Sequence, residues 1–141
     1  VQLFVGLDGA GNTSIVSALE GKNLGHDPSS TVGFNAPAQL KIGEHDTLVY
    51  DVGGGAGIRK IWSEYLAEIH GIVFVIDCAC PGRLSEACTE LQQLLHHKYG
   101  QGKAVAVLGN KSDLSGAMDI QELAAGLQLD MKSNKCDRCG K

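Results

Sequence analysis

The sequence predicts an α/β fold of three layers: a mostly parallel sheet, with one antiparallel hairpin strand, between layers of helix. Short apolar runs alternate with amphipathic stretches along the chain, and glycine-rich or polar breaks follow the apolar runs. A tight turn near Gly43 between two strand-like segments supplies the hairpin. A chain of 141 residues, 43% hydrophobic and 20% charged, makes one domain with its own core. That composition excludes a disordered tail, a collagen-like repeat and a coiled coil.

Each element has a local reason. Val1 to Val5 is an apolar run ending in Gly6 and reads as a buried strand. Ile15, Ala18 and Leu19 carry a helix over Gly11 to Leu19, and the turn-rich stretch 20–35 predicts a long loop. Ala38 to Ile42 and Thr47 to Tyr50 read as strands joined by Gly43-Glu44-His45-Asp46. After the break Asp51-Val52-Gly53-Gly54-Gly55, helical spacing resumes through Ile58, Ile61, Trp62, Tyr65, Leu66 and Ile69. Gly71 to Ile76 is the clearest central strand. Leu84, Ala87, Cys88, Leu91, Leu94 and Leu95 mark a helix, and Ala104 to Leu108 a fully apolar strand. Ile120 to Leu127 predicts a last helix, with a polar tail after Leu129.

Twelve basic against sixteen acidic residues give a net charge of −4, which argues against a general nucleic-acid binder. No apolar run reaches the roughly 18 residues of a membrane helix. Five cysteines in apolar or helical contexts read as free thiols of a reducing compartment, so a cytoplasmic location is expected. Cys136-Asp137-Arg138-Cys139 is a lone pair without a second, a weak signal for zinc or redox chemistry. Adjacent His96 and His97 cannot form a metal pair on one helix face. Trp62 reads as core, and Arg59 and Lys60 as a solvated face. The first residue is Val1, already inside an apolar run, so a domain incomplete at both ends and cut from a longer chain is expected.

The chemistry sits where the breaks follow strands. Gly6-Leu7-Asp8-Gly9-Ala10-Gly11-Asn12-Thr13-Ser14 nearly fits G-x-x-x-x-G-K-[ST], in which backbone amides and a helix N-terminus cradle phosphates. Asp8, Gly9, Ala10, Gly11, Asn12, Thr13 and Ser14 are therefore candidate nucleotide contacts, with the Thr13 hydroxyl placed for Mg²⁺. Asn12 stands at the lysine position. Asn110-Lys111-Ser112-Asp113 matches N-K-x-D, in which a carboxylate accepts the N1–H and exocyclic N2–H of guanine, a pattern adenine does not offer. Asp51 at a strand end can hold the Mg²⁺ hydration shell, and the Gly54 N–H can meet a γ-phosphate. Thr31, in Thr31-Val32-Gly33-Phe34, can complete the Mg²⁺ coordination. Each alone also reads as a turn; their order at strand ends argues for a site.

These motifs, taken with Ile58-Arg59-Lys60-Ile61-Trp62-Ser63-Glu64-Tyr65, resemble the Arf and Arf-like small GTPases of the Ras superfamily. Gly55 in place of a glutamine, and the stretch Gln121 to Lys141, are most similar to the family's cilium-associated branch, the ADP-ribosylation factor-like thirteen group. The resemblance implies a P-loop GTPase fold that stops before its last strand and helix. It implies GTP/GDP and Mg²⁺ as cofactors, an aromatic triad of Phe34, Tyr50 and Tyr65, and a partner protein engaged through the switch loops. In the ciliary branch that partner is another Arf-like GTPase whose exchange it promotes, and membrane attachment comes only through segments outside this sequence. Two departures qualify the activity. Asn12 removes a charge-assisted contact worth about 1.5–3 kcal/mol, a ten- to hundredfold loss of affinity. Gly55 occupies the site of the glutamine that orients the attacking water in Ras and Gα, so there is no catalytic side chain and very slow GTP hydrolysis is expected. A degenerate GTPase-fold scaffold that binds partners without nucleotide is the alternative.

Overall fold

The computed structural model describes residues 1–21 and 37–129. Within them the chain runs β1 (Gln2–Gly6), α1 (Asn12–Leu19), β2 (Ala38–Ile42), β3 (His45–Asp51), α2 (Trp62–Tyr65), β4 (Gly71–Asp77), α3 (Leu84–His96), β5 (Ala104–Asn110) and α4 (Ile120–Gly126). Short 3₁₀ turns, Arg59–Ile61 and Pro81–Arg83, lead into α2 and α3. The strands lie in the order β2-β3-β1-β4-β5, all parallel except β2 against β3.

Alternation along the strands builds two cores. Leu3 and Val5 of β1, with Ile72, Phe74 and Ile76 of β4, join the larger one beneath α2, α3 and α4. Phe4 and Val75 point the other way and pack with Val16 of α1 and with Leu40 and Val49. One sheet between two helical layers follows from this division, as the sequence predicts. Phe4 pairs with Asp51, Gly6 with Val75 and Asp77 with Asn110, so the carboxyl ends of the parallel strands share one edge. In such sheets that edge is where ligands bind.

Several details differ from the sequence expectation. β3 begins at His45 and Ile42 pairs with His45, so the hairpin loop is only Gly43 and Glu44, with Gly43 at φ 63°. The helical spacing after residue 58 yields only a 3₁₀ turn and the four-residue α2. Its later amides bond three residues back, Leu66 to Ser63 and Glu68 to Tyr65, and the segment continues as turns. β4 lies inside the sheet as expected, between β1 and β5, and β1 is interior too, while β5 is an edge among the described residues. Val105 and Val107 pack on the larger core, whereas Ala104, Ala106 and Leu108 on the opposite face are exposed. Thr31, Phe34, Cys136 and Cys139 lie outside the described residues.

Candidate functional site

The loop between β1 and α1 is shaped by its glycines and held by the end of β5. Gly9 and Gly11 have φ of 77° and 97°, a region that disfavours side chains. At Gly11 a Cβ would also run into the Asn110 amide. Asn110 Nδ2 donates to the Ala10 carbonyl at 2.9 Å, and Lys111 Nζ donates to the Gly9 carbonyl at 2.7 Å. Lys111 also pairs with Asp77 at 3.0 Å, itself holding φ 59°. The two motif residues therefore reach about a hundred positions back along the chain to take the loop's carbonyls. Two of the loop's own amides are engaged as well, the Asp8 N–H by the Gly54 carbonyl and the Ala10 N–H by that of Leu7, and the positive φ of Gly9 and Gly11 gives the turn in which successive amides can form an anion nest. α1 adds its N-terminus there, beginning at Asn12, with no side-chain cap and no acidic residue in its first turn. No carboxylate of α1's own first turn caps the helix dipole at Asn12, Thr13 and Ser14.

Asn12 and Asp51 meet beneath the loop. Asn12 is 7% exposed and its Nδ2 donates to Asp51 Oδ1 at 2.7 Å and to the Val52 carbonyl at 3.3 Å. Asp51, the last residue of β3, is itself buried. Gly54 presses on the loop: its carbonyl accepts from the Asp8 N–H at 3.1 Å and from Arg59 Nε at 2.7 Å. A Cβ at Gly54 would collide with Gly6 O and the Asp8 amide, so no other residue fits. Gly55, by contrast, has open space around it. Asp113, two residues beyond Lys111, is exposed at the rim.

Arg59 corrects the sequence reading. Far from a solvated face, it is buried, and its guanidinium binds Asp8 at 3.2 Å, Glu86 at 2.7 Å and Glu90 at 3.3 Å. Arg83 completes the cluster, pairing with Asp8 at 2.8 Å and with Glu86 at 3.1 Å, and donating to the Asp8 carbonyl. The hydrogen bond from Arg83 holds the Asp8 carboxyl below its ordinary pKa, and bonds from Arg83 and then Arg59 do the same for Glu86. Glycine loop, post-β3 segment and α3 are thereby joined across a cavity of about 210 Å³ lined by Leu7, Ile76 and Leu84. Only partners 27 to 51 residues away reveal Arg59's role, and no local pattern carries that information. Of the expected aromatic triad, Tyr50 and Tyr65 do meet, with ring centroids 5.0 Å apart.

A profile of the ADP-ribosylation factor family matches residues 2–137. The chain belongs to that family. It is 38% identical over 125 residues to ADP-ribosylation factor-like protein 13B of Chlamydomonas reinhardtii, covering 89% of this chain and 23% of that protein. It therefore spans about a quarter of that relative's length. ADP-ribosylation factor-like protein 3 of the same alga is 36% identical, with 90% of this chain and 71% of the relative covered. Among solved structures, the Arl6 BBS3 small GTPase from Trypanosoma brucei, bound to the nucleotide analogue GppNp, superposes with a TM-score of 0.77. It is 29% identical, and 91% of this chain and 77% of that one are covered.

Arf-family GTPases bind GTP or GDP with Mg²⁺. The donor set in this member fits both. The anion nest and uncapped helix suit phosphates, and Thr13 and Asp51 supply the hard oxygens a magnesium ion takes while keeping several waters. Where this Arf-family member departs from G-x-x-x-x-G-K-[ST], at Asn12, the side chain turns to Asp51 and Val52.

Proposed function

We propose that this chain is a guanine-nucleotide switch of the Arf-like type with very slow intrinsic GTP hydrolysis. The observation that carries the reading is the clamp of Asn110 and Lys111 on the glycine loop, which makes the guanine-reading motif and the phosphate cradle one rigid unit. Asp113 stands beside that clamp and reads the base. The amides of Gly9 to Ser14 cradle the phosphates, Gly54 meets the γ-phosphate, and Thr13, Thr31 and Asp51 (through water) hold the metal. Mg²⁺, when bound, would neutralise phosphate charge, and Thr31 would order around it as a ligand together with Thr13. That ordering creates the surface a partner protein reads. Gly55 offers no side chain to orient water, which is the ground for slow hydrolysis.

The likeness to the algal 13B relative supports a finer reading. The partner is another Arf-like GTPase whose nucleotide exchange this protein promotes in ciliary signalling or trafficking. A second reading, a scaffold that uses no nucleotide, is favoured by one observation: Asn12 and Gly54 already stitch the post-β3 segment to the loop. Calorimetric titration with GDP and XDP in Mg²⁺ separates the two. The switch binds GDP, and Asp113→Asn moves preference from guanine toward xanthine. A scaffold binds neither nucleotide at millimolar concentration in either protein.

A further inference from the structure

At the lysine position of the phosphate loop, this chain has a side chain whose donors are already spent. An asparagine amide offers two N–H donors on Nδ2 and one carbonyl acceptor. Nδ2 of Asn12 gives one bond to Asp51 Oδ1 and one to the Val52 carbonyl. What remains is the carbonyl oxygen, which accepts and cannot donate to a phosphate. The side chain at position 12 therefore brings neither charge nor donor to the nucleotide, and it fixes a carboxylate instead. Among the described residues, the cations around the loop are each held by carboxylates. Lys111 is paired with Asp77 and holds the Gly9 carbonyl, while Arg59 and Arg83 are shared among Asp8, Glu86 and Glu90.

We infer that Asn12 is a positioning residue for Asp51, and that it shifts neutralisation of the phosphates from the protein to the divalent cation. This inference rests on the nucleotide-switch reading and deepens it. A lysine at position 12 contributes a positive charge to the phosphates whether or not a metal is bound. The Asn12 side chain contributes only through the metal, by holding with a 2.7 Å bond the carboxylate that orders the metal's water. Nucleotide affinity thus depends on the cation more steeply here than in a lysine-bearing version of the same chain. The carboxylate's geometry also sets how much cation is needed.

The experiment measures the GDP dissociation constant of wild type, Asn12→Lys and Asn12→Ala, in excess MgCl₂ and in EDTA, and then titrates MgCl₂ at fixed GDP. In EDTA wild type is expected to bind GDP about ten- to a hundredfold more weakly than Asn12→Lys, the equivalent of one charge-assisted hydrogen bond, and in excess MgCl₂, where the cation neutralises the phosphates, that gap is expected to narrow. Asn12→Ala, which removes Asn12's bond to Asp51 without adding charge, is expected to need more Mg²⁺ for half-maximal GDP binding while staying folded at a melting temperature lowered by the lost buried bond. Equal losses in EDTA for wild type and Asn12→Lys overturn the inference while leaving the switch reading intact. An Mg²⁺ midpoint for folded Asn12→Ala equal to that of wild type overturns the positioning role. Should Asn12→Ala fail to fold, the comparison with Asn12→Lys decides. No GDP binding in excess MgCl₂ by either wild type or Asn12→Lys removes the switch reading, and this inference with it.

Discussion

Single residues decide the chemistry of this site, and two of them read very differently from sequence. Gly55 was legible at once, because a side chain missing from a motif is visible in the motif itself. The open space around it means that a glutamine fits there without displacing a neighbour. Gly55→Gln is expected to raise single-turnover GTP hydrolysis, which in glutamine-bearing Ras is itself only on the order of 10⁻⁴ s⁻¹. A wild-type rate equal to the variant's would show that another step limits the reaction. Arg59 was not legible: followed by Lys60, it looks like part of a wet surface, and its burial depends on three carboxylates contributed by distant segments. Its side chain is 7% exposed while those of Asp8 and Glu86 are about 40% exposed, so the acids can regain water when the arginine is removed. Arg59→Ala is therefore expected to cost about 1–3 kcal/mol, at the low end for breaking a buried pair. Urea unfolding measures it, and an unchanged midpoint would mean that the cluster adds nothing net.

Elements are tied to one another here by charge as much as by apolar packing. The glycine loop, the 3₁₀ turn before α2 and the first turns of α3 meet through Asp8, Arg59, Arg83 and Glu86. Asp8 and Glu86 titrate lower when folded than when unfolded, chiefly through their bonds to Arg83. Their contribution is complete above the unfolded carboxylate pKa near 4 and is lost as pH falls through and below it. Thermal unfolding followed from pH 6 to 3 is expected to show a falling melting temperature, and Arg83→Gln a flatter dependence over that window. Parallel curves would assign the acid sensitivity to other groups. Helix and strand positions were readable because periods of 3.6 and 2 are local, whereas the brevity of α2 was not, since turn bonds replace its helical ones after Tyr65. β5 shows the same limit. Its apolar run predicts a strand, but not that one face lacks cover among the described residues, where Leu108 is 39% exposed. An uncharged apolar edge invites pairing with a second chain, so Leu108→Lys is expected to reduce concentration-dependent association with little change in melting temperature. Light scattering that does not differ between the two proteins would contradict this.

For the whole molecule, the sheet order β2-β3-β1-β4-β5 decides which loops converge. That order depends on pairings between strands far apart in sequence. Alternation of strands and helices foretold a parallel sheet with its site at the carboxyl ends and β4 inside it, but not which strands are neighbours. From the centre, β1 delivers its loop between the ends of β3 and β4, where Asp51 and Asp77 wait. Trp62, the chain's one tryptophan, sits at the seam of this arrangement. It is 1% exposed, donates Nε1–H to the Gly53 carbonyl at 3.0 Å, and meets Phe74 edge-on with ring centroids 6.1 Å apart. Its hydrogen bond reaches the glycine segment that, on the proposed switch reading, meets the γ-phosphate, while its ring is anchored in the main core. The protein thereby carries a built-in optical probe. Intrinsic fluorescence excited at the indole band should be blue-shifted at rest, and its intensity should step on exchanging GDP for a non-hydrolysable GTP analogue. A Phe74→Leu variant, which removes the edge-on ring but leaves the carbonyl bond, should change the resting intensity and keep the step. An emission spectrum indifferent to nucleotide in a protein that binds it would mean that Gly53 stays in place, and that the switching motion begins farther along the chain than the indole can sense.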